Sequence, residues 1–347
     1  MERSHKILEA IIDEYIRTGE PVGSKLLTEK LNFSVSSATV RNEMASLEQL
    51  GYLDHPHTSA GRIPTVKGYR LYIERLVPEN QTLLSDEDKR VIDSALENAR
   101  RRDDTDDAII ESASRALAEL TKCAVVSTSN TGRFSVITKV EVIPTGKRMY
   151  VLLLITSGGG IKNRVCRLSF DLTHEQLDFF TGFVNENIAG LNLESVSEEF
   201  IERMGEALGS YMISLSPLLK VVADLSGEMA ESRVNFEGES NLIAFEDFQK
   251  NEVLSILQNR NAFTELLDNA FSGINVLFGD EERGDTFTVS NSGLIAGSFL
   301  KHGKTAGSFG VIGPMRLDYK KLIPFIEYFA VRVTGLLSEE SGEKEED

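Results

Sequence analysis

Cysteine is almost absent from this chain: Cys123 and Cys166 are the two that it contains, and they lie far apart in sequence. Two lone thiols argue against a disulfide scaffold and favour a reducing cytoplasm and buried structural roles. Long hydrophobic runs are also missing, since the longest one, Val151 to Ile155 extended by Tyr150, falls far short of the roughly 20 residues of a spanning helix. The chain opens on the charged residues MERSHK, which argues against secretion. We therefore expect a cytoplasmic protein with no membrane contact.

Patterns of catalytic residues are scarce as well. Three of the five histidines lie in the first 60 residues, and neither His174 nor His302 stands in a recognisable motif with a nucleophile. The two cysteines do not form a CxxC pair. We therefore expect no enzymatic activity, no cofactor and no metal site.

A helix with one buried and one exposed face is predicted to begin near residue 37, where the sequence is SATVRNEMASLEQ. At 100° per residue, Val40, Met44 and Leu47 fall within an arc of about 60°, which is the spacing of a core-facing stripe. Ser36 or Ser37 suits the N-cap position, and Gly51 suits the end of the helix.

The opposite face of this helix suits base recognition. Arg and Asn side chains match guanine and adenine edges, and small neighbours let a helix enter the major groove of DNA. Arg41 and Asn42 are therefore predicted to contact bases. The face spans an arc of about 100°, is uncharged or basic, and consists of Ala38, Arg41, Asn42, Ala45 and Gln49.

The surrounding pattern predicts a winged helix-turn-helix domain. Two shorter apolar patterns precede the helix, and the segment DHPHTSAGR follows it as a hairpin loop, with Arg62 as a basic tip that enters a minor groove or contacts phosphate. A winged helix that docks proteins without nucleic acid is the alternative. The predicted phosphate contacts are Ser37, Thr39, His57, Arg62, Lys67 and Arg70.

Charge is unevenly distributed along the chain. The formal net charge is −17, which by itself disfavours a DNA partner. Residues 1–75, however, hold ten Lys plus Arg and ten Asp plus Glu, so the remaining chain carries the whole excess. A neutral module with its basic groups on one face can bind phosphate, while the acidic remainder limits non-specific binding.

At 347 residues the chain is expected to form two or three domains of an α+β multidomain protein. Neither of the two strand-rich segments has a plausible closed sheet alone, so we interpret them as one α/β domain interrupted by a mainly helical insertion. The apolar surface of that insertion predicts a dimer interface. The predicted parts are a winged-helix domain (1–77), a helical linker (78–104), the first part of the α/β domain (105–170), the inserted dimerisation domain (171–236), the second part of the α/β domain (237–338) and a disordered acidic tail (339–347).

Three sequence runs, taken together, resemble one protein family. They are SSATVRNEMASLEQLGYL at 36–53, HTSAGRIPTVKGYRLYI at 57–73 and GSFGVIGPMRLDYKKLIPFIEYFA at 307–330. The third run is far from the predicted DNA-binding module, so a shared winged helix alone does not explain the similarity. With these runs, and over nearly its whole length, the chain resembles the heat-inducible transcription repressor HrcA family.

The resemblance implies more than the residue patterns do. It implies a GAF-like character for the split α/β domain, a homodimer that represses chaperone operons, and double-stranded DNA with an inverted-repeat operator as the target. It also implies that activity depends on a GroEL-type chaperonin. Two other hypotheses remain: a regulator gated by a small-molecule effector in the GAF-like domain, and a nucleic-acid-processing enzyme, which requires a metal or nucleophile constellation.

Overall fold

The structure is a computed structural model that describes most of the chain. His57 of the predicted wing loop and residues 340–347 of the predicted tail lie outside the described part. Among the described helices, none combines the length and the hydrophobicity that crossing a bilayer requires. The described residues are 2–30, 36–56, 61–76, 84–101, 105–207, 215–248, 250–258, 263, 266–267, 273–279 and 291–339.

The N-terminal region folds as three helices followed by a two-stranded wing and a fourth helix, as predicted. Its elements are α1 (Glu2–Thr18), α2 (Ser24–Lys30), α3 (Ser37–Gln49), β1 (Leu53–Asp54), β2 (Ile63–Pro64) and α4 (Val66–Leu71), which continues as a π-helical turn (Tyr72–Leu76). The stripe of Val40, Met44 and Leu47 is buried in one core with Ile7 and Ile11 of α1. The hydrophobic stripe that the periodicity predicts is therefore the face by which α3 packs against α1.

The rest of the chain alternates helices and strands. In chain order its elements are α5 (Asp86–Arg100), α6 (Asp106–Thr121), β3 (Ala124–Ser129), a 3-10 turn (Thr131–Phe134), β4 (Ile137–Gly146), β5 (Met149–Thr156), β6 (Ile161–Arg167), α7 (His174–Ile188), a 3-10 turn (Leu193–Ser195), α8 (Glu198–Ala207), α9 (Ser216–Ala230), β7 (Arg233–Glu237), α10 (Glu239–Ala244), α11 (Lys250–Gln258), β8 (Ile274–Phe278), β9 (Ser292–Lys301), β10 (Lys304–Pro314) and α12 (Tyr319–Glu339).

One sheet has five strands in the order β7-β3-β10-β9-β8, and each neighbouring pair is antiparallel. Both of its faces are covered. Val125 and Phe309 point into the core shared with α6, α12 and the winged helix, whereas Val126 and Ile312 point into a second core with Leu242 of α10. Because successive strand residues face opposite sides, two covered faces explain why β10 is buried from Ala306 onward.

A second, separate sheet has three strands in the order β4-β5-β6. Helices α7 and α9 pack on one face of it, where Tyr150, Leu152 and Leu154 are buried. The interpretation that all strands of residues 105–170 share a sheet with residues 237–338 is therefore wrong for β4, β5 and β6, and only β3 joins the larger sheet. Alternating polarity shows that a strand has a buried face, but it does not show which strands are neighbours.

The two sheets are connected where the chain crosses twice between them. The Asp107 carboxylate accepts hydrogen bonds from Ser129 Oγ and Thr131 Oγ1, both at 2.7 Å, on the outgoing segment. Its second oxygen accepts a hydrogen bond from Arg233 Nη1 at 2.5 Å on the returning segment. A Cβ atom added at Gly132 would lie 2.0 Å from the carbonyl oxygen of Met229. The two crossing segments are therefore in backbone contact.

Both cysteines are free and buried, as predicted. Burial raises the pKa of the Cys123 thiol to about 12, so this thiol stays protonated at neutral pH. The thiol of Cys166 also has a raised pKa, because burial outweighs the nearby Arg164 charge. These groups pack as small apolar side chains and are poor nucleophiles.

We expect Gly132→Ala to lower the free energy of unfolding by about 1–3 kcal/mol, since its Cβ atom forces the two crossing segments apart. Gly182→Ala is the matched control, because a Cβ atom at this position of α7 meets nothing within 4 Å. A helical Gly-to-Ala change at such a site raises stability by about 0.5–1 kcal/mol. Urea unfolding followed by circular dichroism measures both effects, and equal responses would contradict the assigned contact.

Candidate nucleic-acid interface

Helix α3 begins with a side-chain cap and presents its N-terminus at the surface. Ser36 is the N-cap residue, with φ −70° and ψ 154°, and its Oγ accepts a hydrogen bond from the Thr39 backbone N–H at 3.2 Å. Of the two serines proposed as the cap, Ser36 has this role, and Ser37 is the first, exposed helical residue. The free N–H groups and the positive dipole end of such a terminus favour a phosphate ligand.

The predicted recognition face lies opposite the buried stripe of α3 and is open to solvent. The end of α3 is fixed by Leu50, whose N–H donates to the carbonyls of Ser46 and Glu48. Of the predicted residues, Ser37, Ala38, Arg41, Asn42 and Gln49 are exposed, and Thr39 and Ala45 are half-buried. The structure thus brings the predicted base-contacting residues together on one accessible surface.

The two acidic residues of α3 are directed away from this face. The carboxylate of Glu43 accepts a hydrogen bond from Ser4 Oγ at 2.7 Å, which turns it toward α1. Glu48 pairs with Arg62, whose Nε and Nη2 atoms lie 2.9 and 2.8 Å from Glu48 Oε2. Neither carboxylate of α3 therefore lies on the exposed face beside Arg41, where it would repel a phosphate or a base acceptor.

Arg62 occupies a different place from the predicted wing tip. Its side chain is 20% exposed and is paired with Glu48. Its backbone N–H and carbonyl exchange 2.9 Å hydrogen bonds with Val22, so it stands at the base of the wing. In the unbound chain Arg62 therefore has a structural role, which ties the wing to the C-terminal half of α3, and the DNA contact predicted for it stays a prediction. No local sequence pattern predicts this pair, because Glu48 and Arg62 lie 14 residues apart.

Lys67 and Arg70 lie on α4, behind the wing. Lys67 Nζ donates to the Leu50 carbonyl at 2.8 Å and lies 4.8 Å from the centre of the Tyr52 ring. It therefore satisfies a carbonyl at the end of α3, although its side chain remains exposed. Arg70 is half-buried on the same helix. Lys67 thus has a structural contact in addition to the phosphate contact predicted for it.

Two glycines for which the sequence predicts no role, Gly61 and Gly68, set the geometry of the wing. A Cβ atom at Gly68 would lie 2.3 Å from the Tyr52 carbonyl oxygen, so α4 packs directly on the wing backbone. A Cβ atom at Gly61 would lie 2.6 Å from the backbone of Pro21, next to the Val22–Arg62 bridge. The segment before α2 therefore packs on the base of the wing, where Val22 forms an isolated antiparallel bridge with Arg62.

Two family models match the chain and together cover most of it. The model described as the winged helix-turn-helix transcription repressor, HrcA DNA-binding, matches residues 2–76. The model described as the HrcA protein C terminal domain matches residues 107–323. The first match contains every element of the candidate interface.

Full-length relatives agree with these matches. The heat-inducible transcription repressor HrcA of Clostridium acetobutylicum is 33% identical over 332 residues, which cover 94% of this chain and 94% of that protein. The same repressor of Acetivibrio thermocellus is 32% identical and covers 94% of this chain and 93% of that protein. A crystal structure of a protein described as hypothetical has 26% identity and a TM-score of 0.64, and covers 98% of this chain and 99% of the other. The chain therefore belongs to the HrcA family of heat-inducible transcription repressors and carries its DNA-binding winged helix.

Proposed function

We propose that this repressor binds an inverted-repeat operator as a cytoplasmic homodimer, and that the exposed face of α3 recognises the bases. One observation carries the proposal: the face with Arg41 and Asn42 is open to solvent while the opposite stripe is buried against α1. Two such helices related by a two-fold axis suit two half-sites separated by whole turns of DNA. The proposed targets, heat-shock chaperone operons, come from the family resemblance.

Within each half-site, Arg41 and Asn42 contact bases, and Ala38, Ala45 and Gln49 complete the surface that enters the groove. Ser37 and Thr39, at the N-terminus of α3, contact phosphate together with the α4 cations Lys67 and Arg70. Footprinting across the genome tests the proposal as a whole. We expect protection of an inverted repeat ahead of chaperone genes, and protection of unrelated sites alone would contradict it.

The proposed dimer surface differs from the one predicted on the insertion at 171–236. It is the outer face of the three-stranded sheet, which packs on that insertion, and it is defined here by Ile143, Met149, Val151, Ile155, Ile161 and Val165. Val151 pairs with Ile143 on one neighbouring strand and with Val165 on the other, so these three side chains form one row across the sheet. Ile161 and Val165 are 65% and 60% exposed, although they belong to a strand with a covered opposite face. Polar residues interrupt this apolar face, because Glu141 and Asn163 flank Leu153 and Lys139 is opposite Ile155. A mainly apolar face of this kind still suits a second copy of the chain, since a two-fold interface pairs a surface with itself.

A GroEL-type chaperonin is the proposed modulator, and it too comes from the resemblance. The fold supplies a physical reason for such dependence. Strand β3 pairs with β10, for example Val126 opposite Gly310, so the whole smaller sheet lies in sequence between two paired strands of the larger sheet. Pairings so distant in sequence fold slowly and leave apolar surface exposed during folding.

An effector-gated regulator is the alternative, and a cavity of about 920 Å³ favours it. The cavity lies between α1, α5, α6 and the start of α12, and Arg17, Lys122 and Lys321 are among the residues that line it. A ligand there would contact both the winged helix and the rest of the chain. A thermal-shift screen with metabolites distinguishes a ligand sensor, whose unfolding temperature rises, from a chaperonin client.

We expect Arg41→Ala to weaken operator binding by roughly 1–3 kcal/mol and to relax the base preference at one operator position, because a bidentate contact to guanine is lost. Binding to a library of single-base operator variants measures both effects. Arg70→Ala is the comparison, since loss of a phosphate contact weakens all variants alike. Uniform weakening by Arg41→Ala would assign Arg41 to phosphate instead.

We expect Ile161→Asp to convert the dimer to a monomer, because the substitution places a charge inside the proposed apolar interface. Light scattering of the full chain measures the mass. Ile243→Asp is the matched control, since Ile243 is 69% exposed on α10, outside the three-stranded sheet. A dimer that persists in the Ile161 variant, or dissociation in both variants, would rule out this face as the interface.

We expect operator binding to recover only partly when the chain is heated and cooled alone, and to recover further when chaperonin and ATP are present. The physical reason is the slow closure of the larger sheet. Gel-shift titration before and after the cycle measures the active fraction. Full recovery without chaperonin would count against the proposed modulation.

A further inference from the structure

The third sequence run, at 307–330, has no role in DNA binding by itself, yet its centre lies against the winged helix. Met315 to Asp318 connect the end of β10 to the start of α12. Arg316 Nη1 lies 3.5 Å from the carbonyl oxygen of Ile16, in the last turn of α1. The guanidinium also covers Gly19, where an added Cβ atom would lie 3.4 Å from Arg316 Cζ.

We propose that Arg316 is a positioning residue for operator binding, which docks the end of α1 on the rest of the chain and so fixes the orientation of α3. This inference rests on the proposed binding of a two-half-site operator. The last carbonyls of a helix have no partner within the helix and lie at its negative dipole end. A guanidinium therefore stabilises the end of α1 at the point where it contacts the rest of the chain.

Asp247 fixes the direction in which Arg316 points. Its carboxylate accepts two hydrogen bonds, from Arg316 Nε at 2.6 Å and from Nη2 at 2.7 Å. Both side chains are largely shielded from water, with 27% and 20% exposed. The two-point contact leaves Nη1 directed at α1, and a lysine cannot reproduce this fork. The hydrogen bond to Asp247 raises the pKa of Arg316 further, so the cation persists at every physiological pH.

A second cation from the same part of the chain holds the middle of α1. Lys320 Nζ donates to Glu9 Oε1 and Asp13 Oδ2, both at 2.8 Å. Asp13 also accepts a 2.6 Å hydrogen bond from the Tyr72 hydroxyl. Burial opposes the charge of Lys320, but the hydrogen bonds to Asp13 and Glu9 outweigh it and raise its pKa. Two contacts along one helix determine its rotation as well as its position.

The apolar part of this junction is buried but contains a packing defect at Tyr69. Tyr69 stacks obliquely between Phe278 and Tyr319, with ring centres 5.9 Å from each. Its hydroxyl is buried and has no hydrogen-bond partner among the described residues, which costs about 1–3 kcal/mol. A cavity of about 440 Å³, lined in part by Tyr69 and Arg316, lies beside it. The charged contacts of Arg316 and Lys320 therefore add directional constraints that the apolar packing beside this defect does not supply.

A fixed orientation matters because an inverted repeat must engage two α3 helices at once. Once one half-site is bound, the second binds with an effective concentration set by how well the other winged helix is already placed. A winged helix that is folded but undocked still binds a single half-site normally. Loss of Arg316 is therefore expected to affect the full repeat and to spare the half-site.

The test is Arg316→Ala in the full chain, measured on the complete operator, on a single half-site, and on an operator with half a helical turn inserted between the half-sites. We expect affinity for the complete operator to fall about tenfold, with half-site affinity changed by less than about twofold. We also expect the variant to discriminate less between the two spacings. Arg316→Lys should fall between the wild type and the alanine variant on the complete operator.

The matched control is Arg115→Ala, which removes an arginine that links α6 to β7 through Glu237, away from the winged helix. It should leave all three DNA measurements unchanged. Hydrogen exchange of the free chain reports docking without DNA: in Arg316→Ala the amide of Gly19, which donates to Tyr15 O, should exchange faster, and the amides of α3 should not.

Equal losses on the half-site and the complete operator would overturn the inference, because they indicate a damaged winged helix. Unchanged affinity for the complete operator would also overturn it. If the wild type itself does not prefer the complete operator, the proposed dimeric binding fails, and the exchange measurement alone then decides whether Arg316 docks α1.

Discussion

Packing of α3 on α1 is the contact on which the DNA-binding surface depends. Val40, Met44 and Leu47 enter a core that contains Ile7 and Ile11, and this burial determines which side of α3 remains outside. Because the helical period is fixed, burying one stripe exposes Arg41 and Asn42 without any further interaction. Truncating one such buried side chain typically costs about 2–5 kcal/mol, more than any single surface contact of the domain contributes.

The same core extends beyond the winged helix. Residues of α1 share one continuous hydrophobic cluster with α6, β10 and α12, so the DNA-binding domain packs directly against the rest of the chain. The three-stranded sheet, in contrast, has its own core and meets the larger sheet at the two crossing segments held by Asp107. The proposed dimer face and the proposed DNA face are thus connected through the polar contacts of Asp107 and through a junction where Arg316 adds polar contacts to the shared apolar core. In the proposed dimer, the geometry of these two connections sets the distance between the two recognition helices.

Prediction from the sequence was most accurate where a pattern is local. The stripe of α3, the order of helices and wing, the buried thiols and the exposed Arg41 all follow from period, capping and polarity within a few residues. It did not predict the pairing of Arg62, whose partner Glu48 becomes a neighbour only after the wing folds back on α3. It was wrong about the sheet that contains β4, β5 and β6, since strand pairing is a long-range property.

The sequence by itself therefore determined the local elements, the face of α3 that meets solvent and, through the three runs at 36–53, 57–73 and 307–330, the family. Only the tertiary structure decided which charges are free and which are paired, and where the 307–330 run makes its contacts. The physical reason is how far apart in the sequence the interacting residues lie. Helix periodicity and capping involve residues three or four positions apart, whereas Arg316 reaches Ile16 and Asp247 only when segments far apart in the chain are folded together.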